Sequence, residues 1–585
     1  MEAAAIAEAS GTDAATALMM TGLISESTYY RGLARALGAA FLAGSLPLGD
    51  GARYPDSLVA GLAPLTPGAC AGFVYAPRGR AIRELLEGRS PTGRMPAITT
   101  PTAMRLAVFA LHPGGIAAHA ADELQVRRPD WALKTRPRPP VLACAGLGLW
   151  AAAIGYASLP ASLLVGLWTS MQFVLLALLT FRVAAVSVDP LAVRPPPLPD
   201  RELPVYTVLV ALYREAPVLP RLLLALSRLD YPAAKLDIKL LTEADDASTA
   251  AALSAITLPA RFEVVVVPPG LPRTKPRALN AALPLARGEH LVVYDAEDVP
   301  DPGQLRAAAA AFAGAPPETA CLQGRLVIDN AKDSCLTRFF ALEYSALFDV
   351  LGPALSAWKL PTPLGGTSTH FRTDVLRALH GWDAWNVTED CDLGIRLARA
   401  GYHVGDLPSD TIEEAPAALR AWLRQRIRWM KGFLQTSLTH GRHPRRTWRD
   451  LGPLGGLCAL ALVPGTVLSA LAYPFLMLPA FVALWPSRLE TAGDFWSNLP
   501  TGTAITVFLS GFMAMLLPAA LGAARRGWWD LLPFVPLLPF YFLLMSLAAW
   551  LGLIELVTAP DRWNKTEHGL ARTSRSGALR ATVRG

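Results

Sequence analysis

Short apolar runs alternate with amphipathic stretches between residues 205 and 294. The apolar runs are rich in β-branched residues, and they predict strands at 205–212, 238–242, 263–267 and 291–294. Residues 219–229 and 278–286 have the spacing of helices. Strands alternating with helices predict an α/β fold, with a mostly parallel sheet and helices on both faces. Ligands of such sheets bind beyond the carboxyl ends of the strands, so we expect the chemistry there.

Uncharged apolar runs flank this region, and a membrane-spanning helix needs about 20 apolar residues. Residues 141–181 are long enough for two spans, with Pro160 at the turn between them. Basic residues at the two ends, Arg136, Arg138 and Arg182, place both ends on the cytoplasmic side. The other runs are 451–487, 495–524 and 531–554, and the number of crossings that they make stays open.

At 585 residues the chain is too long for one ordinary domain, and its changes of pattern predict five segments. These are an N-terminal accessory or regulatory module (1–135, mainly helical), a transmembrane hairpin (140–183), a catalytic domain ending in an interfacial helix (200–448), a C-terminal transmembrane region (451–557) and a basic cytoplasmic tail (558–585). Within the module, residues 22–26 predict a helix start and residues 36–38 its end.

Composition places these segments at a membrane. Hydrophobic residues make up 52% of the chain, and the formal net charge is +7. The basic residues cluster beside the apolar runs, which favours membrane lipids as a partner over nucleic acid. The six cysteines form no Cys-x-x-Cys pair, so we expect reduced thiols without a zinc site or disulfide framework. The N-terminus lacks a basic segment followed by an apolar core, so we expect no cleaved signal peptide.

Carboxylates follow two of the predicted strands directly. Asp245 and Asp246 come after the second strand, and Asp295-Ala296-Glu297-Asp298 comes after the fourth. Oxygen ligands in such loops suit Mg²⁺ or Mn²⁺ held mainly by a substrate's phosphates, where the metal neutralises charge on a departing diphosphate. A basic loop around Lys275 opens a helix, where an anion is favoured. Solvated turns or helix caps are the alternative for any one of these clusters.

A further carboxylate and a cationic run come later in the chain. Asp390 opens an amphipathic segment predicted over 390–400, and it can take a proton from an incoming hydroxyl that attacks an anomeric carbon with inversion. Trp429 offers a flat face to a sugar ring, while Gln425 and Arg428 offer hydrogen bonds and positive charge. An interfacial amphipathic helix is the alternative for this run, and both interpretations can hold together. We expect the acidic side chains to converge on one cavity.

The order of these motifs resembles that of the membrane-embedded processive family 2 glycosyltransferases, which include the cellulose, hyaluronan, chitin and cyclic β-glucan synthases. The resemblance covers roughly 205–440 and the flanking spans. It rests on Asp246, Asp295-x-Glu297, Thr388-Glu389-Asp390 and Gln425-x-x-Arg428-Trp429. It implies a GT-A fold, a nucleotide-sugar donor that is usually a UDP-sugar, a divalent metal, inversion, and export of the polymer through the protein's own membrane helices.

Carried over position by position, the resemblance implies four groups of site residues. The donor nucleotide would contact Tyr213, Glu215, Asp245, Asp246, Lys275 and Asp295, and the metal would be held by Asp295 and Glu297. Asp390 and Glu389 would be the catalytic pair. The acceptor would contact Gly366, Gln425, Arg428 and Trp429. The metal motif reads Asp-Ala-Glu rather than Asp-x-Asp, which leaves open whether Glu297 or Asp298 is the second ligand. Residues 563–569 resemble the loop that closes over the donor in such synthases, with a juxtamembrane anchor as the alternative.

Residues 22–38 resemble part of the N-terminal domain of secretion ATPases, some of which bind cyclic di-GMP. A nucleotide site in the N-terminal module is therefore one expectation, and a plain docking module is the other. For the whole chain we expect an inverting glycosyltransferase that elongates a β-linked polysaccharide from a multi-pass position in a bacterial-type inner membrane, with its catalytic domain in the cytoplasm. The alternatives are addition of one sugar to a lipid-linked acceptor, and a membrane-anchored nucleotide sensor with a degenerate transferase centre.

Overall fold

The computed structural model describes residues 2–133, 159–190, 195–483, 495–560, 562–563 and 570–578. The chain divides into two compact units. The first comprises residues 1–127, 194–317 and 367–384, and the second comprises residues 128–193, 318–366 and 385–585.

The N-terminal part of the first unit is a helical module with a small sheet. Ser25 caps the predicted helix by accepting a hydrogen bond from Thr28, and Gly38 ends it in the left-handed conformation, so this prediction is confirmed. The sheet, which the sequence analysis did not predict, has the order β1-β2-β3, with β1 and β2 antiparallel and β2 and β3 parallel. The elements are α1 (Glu2–Ser10), α2 (Ala14–Met20), α3 (Glu26–Leu37), α4 (Asp56–Ala60), β1 (Leu62–Pro64), β2 (Phe73–Tyr75), α5 (Arg80–Leu86), β3 (Ala97–Ile98), α6 (Pro101–Leu111) and α7 (Pro113–Arg127).

The remainder of the first unit is built on a mixed sheet. Its strands are β4 (Tyr206–Leu212), β5 (Leu236–Glu243), β6 (Phe262–Val267), β7 (His290–Tyr294) and β10 (Thr369–Arg372), and the order in this unit is β6-β5-β4-β7-β10. The first four are parallel neighbours and β10 is antiparallel to β7. All eight residues of β5 are buried, as expected for a strand covered on both faces. The predicted strands and α/β class are confirmed.

Helices connect these strands, as the alternating pattern predicted. Helix α8 (Ala161–Ala184) belongs to the second unit. The helices of the first unit that follow it are α9 (Leu219–Ser227), α10 (Ala247–Ser254), α11 (Lys275–Ala282), α12 (Gln304–Gly314) and α15 (Thr373–Ala378). The short strand β8 (Val299–Pro300) follows β7.

The N-terminal module packs on β6 and α11 of the same unit. Arg105 in α6 donates a 2.8 Å hydrogen bond to the Glu263 carboxylate, which also pairs with buried Lys239 at 2.6 Å. The side-chain amide of Asn280 in α11 donates to the carbonyl of Ala120 at 2.9 Å. These contacts support α11, the helix that begins with Lys275. The predicted cyclic di-GMP site in this module stays a prediction.

The second unit combines two long parallel strands with the long apolar helices of the chain. Strands β9 (Thr319–Ile328) and β11 (His403–Glu413) pair in parallel, with the register shifting between Leu407 and Asp410. The helices are α8, α13 (Cys335–Ala346), α14 (Gly352–Ala357), α16 (Glu389–Arg399), α17 (Leu419–Gly441), α18 (Pro444–Leu462), α19 (Pro464–Ala483), α20 (Phe495–Arg525) and α21 (Leu538–Thr558), with a π-helical turn at Leu347–Leu351 and a 3-10 stretch at Trp529–Leu537.

Two helices among the described residues are long and apolar enough to cross a membrane: Gly502–Arg525 in α20, and Trp529–Thr558, which includes α21. A third candidate is the bent pair of α18 and the start of α19, which meet at 42°. The second half of the predicted transmembrane hairpin is helix α8, and Pro160 directly precedes it. The first half falls on residues 134–158, outside the described residues. These helices agree with an association with the membrane.

Candidate functional site

Two neighbouring carboxylates at the end of β5 have different surroundings. Asp246 is buried and caps α10, where it accepts hydrogen bonds from the backbone N–H groups of Arg214 at 2.5 Å and Thr249 at 3.2 Å. Burial acts to raise the pKa of Asp246, but these donors and the Ser248 hydroxyl outweigh it, so the pKa is lowered. Asp245 is 44% exposed and pairs with Arg273 at 2.6 Å. Asp246 is therefore bound within the fold, whereas Asp245 is open to solvent.

Tyr213 and Glu215 follow β4, at the same edge of the sheet as Asp245. The guanidinium carbons of Arg214 and Arg273 lie 5.1 and 5.7 Å from the centre of the Tyr213 ring. Glu215 is buried, and its backbone N–H donates to the Thr249 hydroxyl at 3.1 Å. The ring of Tyr213 with its two arginines forms an aromatic and cationic surface beside the carboxylates.

The first turn of α11 brings a cation to the Asp295 carboxylate. Lys275, its first residue, donates through Nζ to Asp295 Oδ1, and the Asp295 side chain is 34% exposed. Arg277, two residues further on, is fully buried and pairs with Glu243 at the end of β5. Burial raises the pKa of Glu243 in spite of this pairing. Arg277 thus fixes α11 to β5 while Lys275 reaches the carboxylate loop.

The loop after β7 separates the roles of its acidic residues. Asp298 is buried, and its Oδ2 accepts hydrogen bonds from the backbone N–H of Asp295 at 2.8 Å and from the hydroxyl of Thr367. The Thr367 hydroxyl oxygen also accepts from the Asp295 N–H at 3.1 Å. Burial, followed by the charges of Asp295 and Glu297, raises the pKa of Asp298 well above its ordinary value. Asp298 therefore braces the loop that presents Asp295.

The residues present fit a divalent ion that takes most of its ligands from a substrate. Asp295 and Glu297 carry carboxylates, whose oxygens are the donors that Mg²⁺ and Mn²⁺ prefer. The Asp295 side chain is partly exposed and Glu297 is buried. Within the part of the chain that the structure describes, no group of three or more His, Cys, Asp or Glu side chains could hold a metal. Two carboxylates plus substrate phosphates is the usual ligand set of Mg²⁺ in phosphate-handling sites.

In the second unit, Gly366 lies directly against the carboxylate of Asp390. Gly366 has a φ of +83°, and a Cβ at this position would be 2.5 Å from Asp390 Oδ2. Asp390 Oδ1 accepts a 2.7 Å hydrogen bond from the N–H of Cys391. Asp390 is the second residue of α16, where the helix dipole favours negative charge, and Glu389 before it is buried. Gly366, one of the predicted acceptor residues, therefore lies beside Asp390.

Helix α17 holds the loop that leads into α16. A Cβ at Gly432 would lie 2.2 Å from the Thr388 hydroxyl, so the loop lies on the helix backbone. The Gln435 side chain accepts a hydrogen bond from the N–H of Val387 at 3.0 Å, and Asn386 donates to the Thr436 hydroxyl at 3.0 Å. These bonds fix the position of Asp390 relative to α17.

The three predicted acceptor residues on α17 lie in different surroundings. Gln425 is 7% exposed, and its Oε1 has no hydrogen-bond partner among the described residues; the same is true of Nε of Arg428. The Arg428 guanidinium carbon lies 4.9 Å from the centre of the Trp563 ring. Trp563 is the first residue of the predicted gating loop, and residues 564–569 of that loop lie outside the described residues. A buried polar atom without a partner is costly, so Gln425 points to a polar ligand.

Trp429 is part of an aromatic group rather than a free platform. The guanidinium carbon of Arg426 lies 4.3 Å from its ring centre, and the Tyr344 ring stacks at 6.4 Å with an interplanar angle of 23°. Arg426 is buried and makes two hydrogen bonds, of 2.8 and 2.7 Å, to the carboxylate of Glu343 in α13. Sequence reasoning missed Arg426, although its place inside the cationic run was a signal.

A second group of polar residues that sequence reasoning missed joins the ends of α16 and α17. Asp392 is fully buried and pairs with Arg396 at 2.7 Å and with Nε2 of His440 at 3.0 Å. Arg399 donates to Nδ1 of His440 at 3.0 Å and pairs with Asp450 in α18 at 2.9 Å. Burial lowers the pKa of His440, and because Arg399 can only donate, the ring is neutral with its proton on Nε2.

The comparisons with known proteins identify the class of domain. Residues 290–558 match the protein family described as Glycosyl transferase family group 2. The chain is 27% identical over 235 residues to the "Probable glycosyltransferase YdaM" of Bacillus subtilis (40% of this chain, 56% of the relative). It is 27% identical over 292 residues to the "Beta-monoglucosyldiacylglycerol synthase" of Synechocystis sp. (49% of this chain, 58% of the relative). The chain thus spans less than two thirds of the length of either relative.

Among solved structures, the chain is similar to the mannosyltransferase PcManGT of Pyrobaculum calidifontis in complex with GDP-Man and Mn²⁺, at 22% identity and a TM-score of 0.42, over 63% of this chain and 98% of that one. The family match and the mixed sheet with its flanking helices define a glycosyltransferase fold. The chain carries a family 2 glycosyltransferase domain, which confirms the predicted enzyme class. The roles of the individual site residues, and their expected convergence on one cavity, stay predictions.

Gly366→Ala is expected to lower the rate of sugar transfer by about 10²-fold, because the new Cβ displaces the Asp390 carboxylate from its position. Release of nucleoside diphosphate measures the rate. Gly401→Ala is the matched control, since Gly401 has a similar φ of +86° and no atom within 4 Å of a Cβ. Equal losses in the two variants would attribute the effect to backbone strain and not to Asp390.

Proposed function

We propose that this chain is an inverting glycosyltransferase of a bacterial-type inner membrane, which transfers a sugar from a nucleotide-sugar, usually a UDP-sugar, to a growing β-linked polysaccharide. The product leaves through the protein's own membrane helices, which cross the membrane several times and leave the catalytic domain in the cytoplasm. The observation that carries the proposal is the Asp390 carboxylate, which lies against Gly366 and follows a loop fixed to α17 at Gly432 and Gln435.

Asp390 acts as the general base. Its Oδ2 lies against Gly366, where a Cβ would come within 2.5 Å of this oxygen. The carboxylate takes the proton of the acceptor hydroxyl, the hydroxyl oxygen bonds to the anomeric carbon, and the bond to the diphosphate breaks on the opposite face. The anomeric configuration is therefore inverted. Glu389, the residue before Asp390, is buried at the first position of α16.

The donor is bound by residues of the first unit. Asp245, which is exposed, meets the nucleoside together with the ring of Tyr213, while Asp246 and Glu215 hold the loops that carry them. Lys275 supplies positive charge to the diphosphate. Asp295 and Glu297 would hold Mg²⁺ or Mn²⁺, which neutralises charge on the leaving diphosphate. Asp298 Oδ2 accepts from the Asp295 N–H and from Thr367, whereas its buried Oδ1 has no hydrogen-bond partner among the described residues. We take Glu297 as the second ligand, with Asp298 as the alternative.

The acceptor is bound by α17. The unpartnered Oε1 of buried Gln425 accepts from a sugar hydroxyl, and Arg428 contributes a charge beside the ring of Trp563. Trp429 contributes an edge or one face, because Arg426 and Tyr344 pack against its ring. A site of this kind suits a saccharide acceptor, which supports polymer elongation.

A second candidate is the addition of one sugar to a lipid-linked acceptor. The similarity to a beta-monoglucosyldiacylglycerol synthase over 49% of this chain favours it. Both candidates need a membrane-associated domain and the same chemistry at the anomeric carbon. They differ in the number of sugars added to each acceptor.

Incubation of the purified full-length protein with radiolabelled UDP-sugars and GDP-sugars, in detergent with Mg²⁺ or Mn²⁺, is expected to give a polymer that elutes at high mass in gel filtration. Label that partitions into organic solvent as a single-sugar lipid would instead establish the second candidate. Absence of transfer from every donor would contradict both candidates and leave the nucleotide-sensor alternative.

Asp390→Asn is expected to lower transfer by about 10²–10⁴-fold while leaving donor binding intact, because only the proton acceptor is lost. Product formation and calorimetric titration of the donor measure the two properties. Asp374→Asn is the control, since Asp374 is an exposed aspartate in the first turn of α15. Turnover of Asp390→Asn at the wild-type rate would refute the role of the base.

Removal of divalent ions by a chelator is expected to abolish transfer, and Mn²⁺ is expected to restore it. Glu297→Gln should raise the Mn²⁺ concentration for half-maximal rate by about tenfold, because a ligand is lost. Asp298→Asn should leave that concentration unchanged, since the amide oxygen still accepts from the Asp295 N–H and Thr367. The opposite pattern would assign Asp298 as the metal ligand.

A further inference from the structure

The C-terminal strap, which we define as residues 570–578, wraps a buried carboxylate at the end of β9. Asp329 is 2% exposed. Its Oδ1 accepts hydrogen bonds from the backbone N–H groups of Arg575 at 2.9 Å and Ser576 at 2.8 Å. Its Oδ2 accepts from the hydroxyls of Ser574 and Ser576, the latter at 2.9 Å. Among the described residues, every side-chain hydrogen bond of Asp329 comes from the strap.

Two more carboxylates receive the strap in the same way. Asp333 accepts from the N–H of Arg572 at 2.9 Å and from the N–H and hydroxyl of Thr573, both at 2.6 Å. Glu414 accepts from the N–H of Leu570 at 2.8 Å. Burial acts to raise the pKa of Asp333, but the Thr573 hydroxyl and the backbone donors outweigh it, so this pKa is lowered. The strap therefore binds through hydroxyls and backbone N–H groups aimed at negative charge.

Arg575 of the strap also contacts the segment between two candidate membrane helices. Its guanidinium pairs with Asp530 at 3.3 Å and lies 4.8 Å from the centre of the Trp528 ring. Trp528 and Asp530 lie between α20 and α21 in sequence. The strap thus joins the end of β9 to the connection between two membrane-spanning candidates.

The strap receptors contact the segment that leads into α17. The Asn330 side chain makes two hydrogen bonds of 2.9 Å with the backbone N–H and carbonyl of Ala415, and it donates to Asp333 at 3.1 Å. Ala415 follows Glu414 and precedes the first residue of α17, Leu419, by four positions. A continuous set of hydrogen bonds therefore runs from the strap to Ala415, four residues before the helix that carries Gln425, Arg428 and Trp429.

The chain before the strap is also attached to α17. Lys431 is fully buried and donates to the Glu555 carboxylate at 2.9 Å and to the carbonyls of Ala559 at 3.2 Å and Arg562 at 2.7 Å. Gln435 donates to the carbonyl of Pro560 at 3.0 Å. Trp563 then lies against Arg428. The chain that leaves α21 is fixed along α17 first, and the strap is fixed at the entrance to α17 afterwards.

We propose that the C-terminal strap is a positioning element of the acceptor site: by docking on Asp329, Asp333 and Glu414, it sets the position of α17 and of Trp563 against Arg428. This rests on the proposed function of α17 in acceptor binding. Loss of the strap leaves the buried Asp329 carboxylate without its hydrogen-bond donors, so the segment around residues 329–333 and 414–418 must rearrange. The acceptor residues of α17 then lose their supported geometry, whereas the donor residues of the first unit keep theirs.

The test places a negative charge in the strap of the full-length protein. Ser574→Asp sets a carboxylate against Asp329, and it is expected to raise the acceptor KM about tenfold with little change in donor hydrolysis without acceptor. Asp329→Asn in the same chain removes the repulsion, and its amide N–H can donate to the new carboxylate. The double variant is therefore expected to recover most of the acceptor affinity. Ser254→Asp, at an exposed serine bonded only within its own helix, is the matched control.

A chain truncated after Gly569 lacks the strap without carrying an added charge, and it is expected to show the same rise in acceptor KM. Hydrogen exchange of peptides covering residues 414–430 provides a readout independent of catalysis: exchange should be faster in Ser574→Asp and in the truncated chain, and restored in the double variant. Unchanged exchange overturns the proposal, as does faster exchange with an unchanged acceptor KM. If no donor supports transfer in the wild type, the proposed function fails, and the exchange result alone decides whether the strap positions α17.

Discussion

The contact between Thr388 and the backbone of α17 at Gly432 is the constraint on which the second unit's candidate site depends. The helix approaches the loop so closely that any side chain at residue 432 would overlap the threonine. At this distance the Asn386 side chain donates a hydrogen bond to the Thr436 hydroxyl, and the Val387 N–H donates to the Gln435 side chain. These polar groups therefore find their hydrogen-bond partners inside the protein. Asp390 follows the loop directly, so this close approach and the hydrogen bonds beside it set the position of Asp390 relative to α17.

Acidic residues occur close together in each motif, and carboxylates that are neighbours in the sequence differ in burial and in hydrogen bonding. Asp246, Asp298 and Asp392 are buried and accept hydrogen bonds from N–H, hydroxyl or cationic groups around them. Asp245 and Asp295 retain exposed surface, and Asp390 faces a glycine. A buried carboxylate surrounded by fixed donors stiffens its loop, which in turn fixes the carboxylate next to it. Part of the acidic content of a glycosyltransferase motif is therefore structural.

The sequence predicts the parts of the fold that have strong periodicity or clear ends. Strands β4 to β7 coincide with short apolar runs, and α3 has both a serine cap and a glycine end. The small N-terminal sheet has strands of two or three residues, too short for a period to appear. Strand β11 contains Pro408 and several polar residues, so it gives a weak strand signal although it pairs along β9.

The candidate site, like the fold, is predictable only where the sequence carries a local pattern. Spacing along the chain predicts Asp295, Asp390 and Gln425 as site residues, because each follows a strand or occupies a helix turn at a recognisable interval. Spacing does not show which of Glu297 and Asp298 is the second metal ligand, since both are buried in the same loop. The role of Arg426 could not be predicted for another reason, because its partner Glu343 is 83 positions earlier in the chain. No local pattern encodes a pair at that separation.

The buried cations of α17 explain how this helix presents one particular face. Arg426 and Lys431 are almost wholly buried, and each has an acidic partner on a neighbouring helix, Glu343 in α13 and Glu555 in α21. Pairs of this kind add little net stability, because desolvation offsets their attraction, but leaving either cation unpaired costs about 3–5 kcal/mol. A rotation of α17 by one residue, about 100°, would leave both unpaired. We infer that these pairs select the rotation of α17, and with it the side on which Gln425 and Arg428 lie.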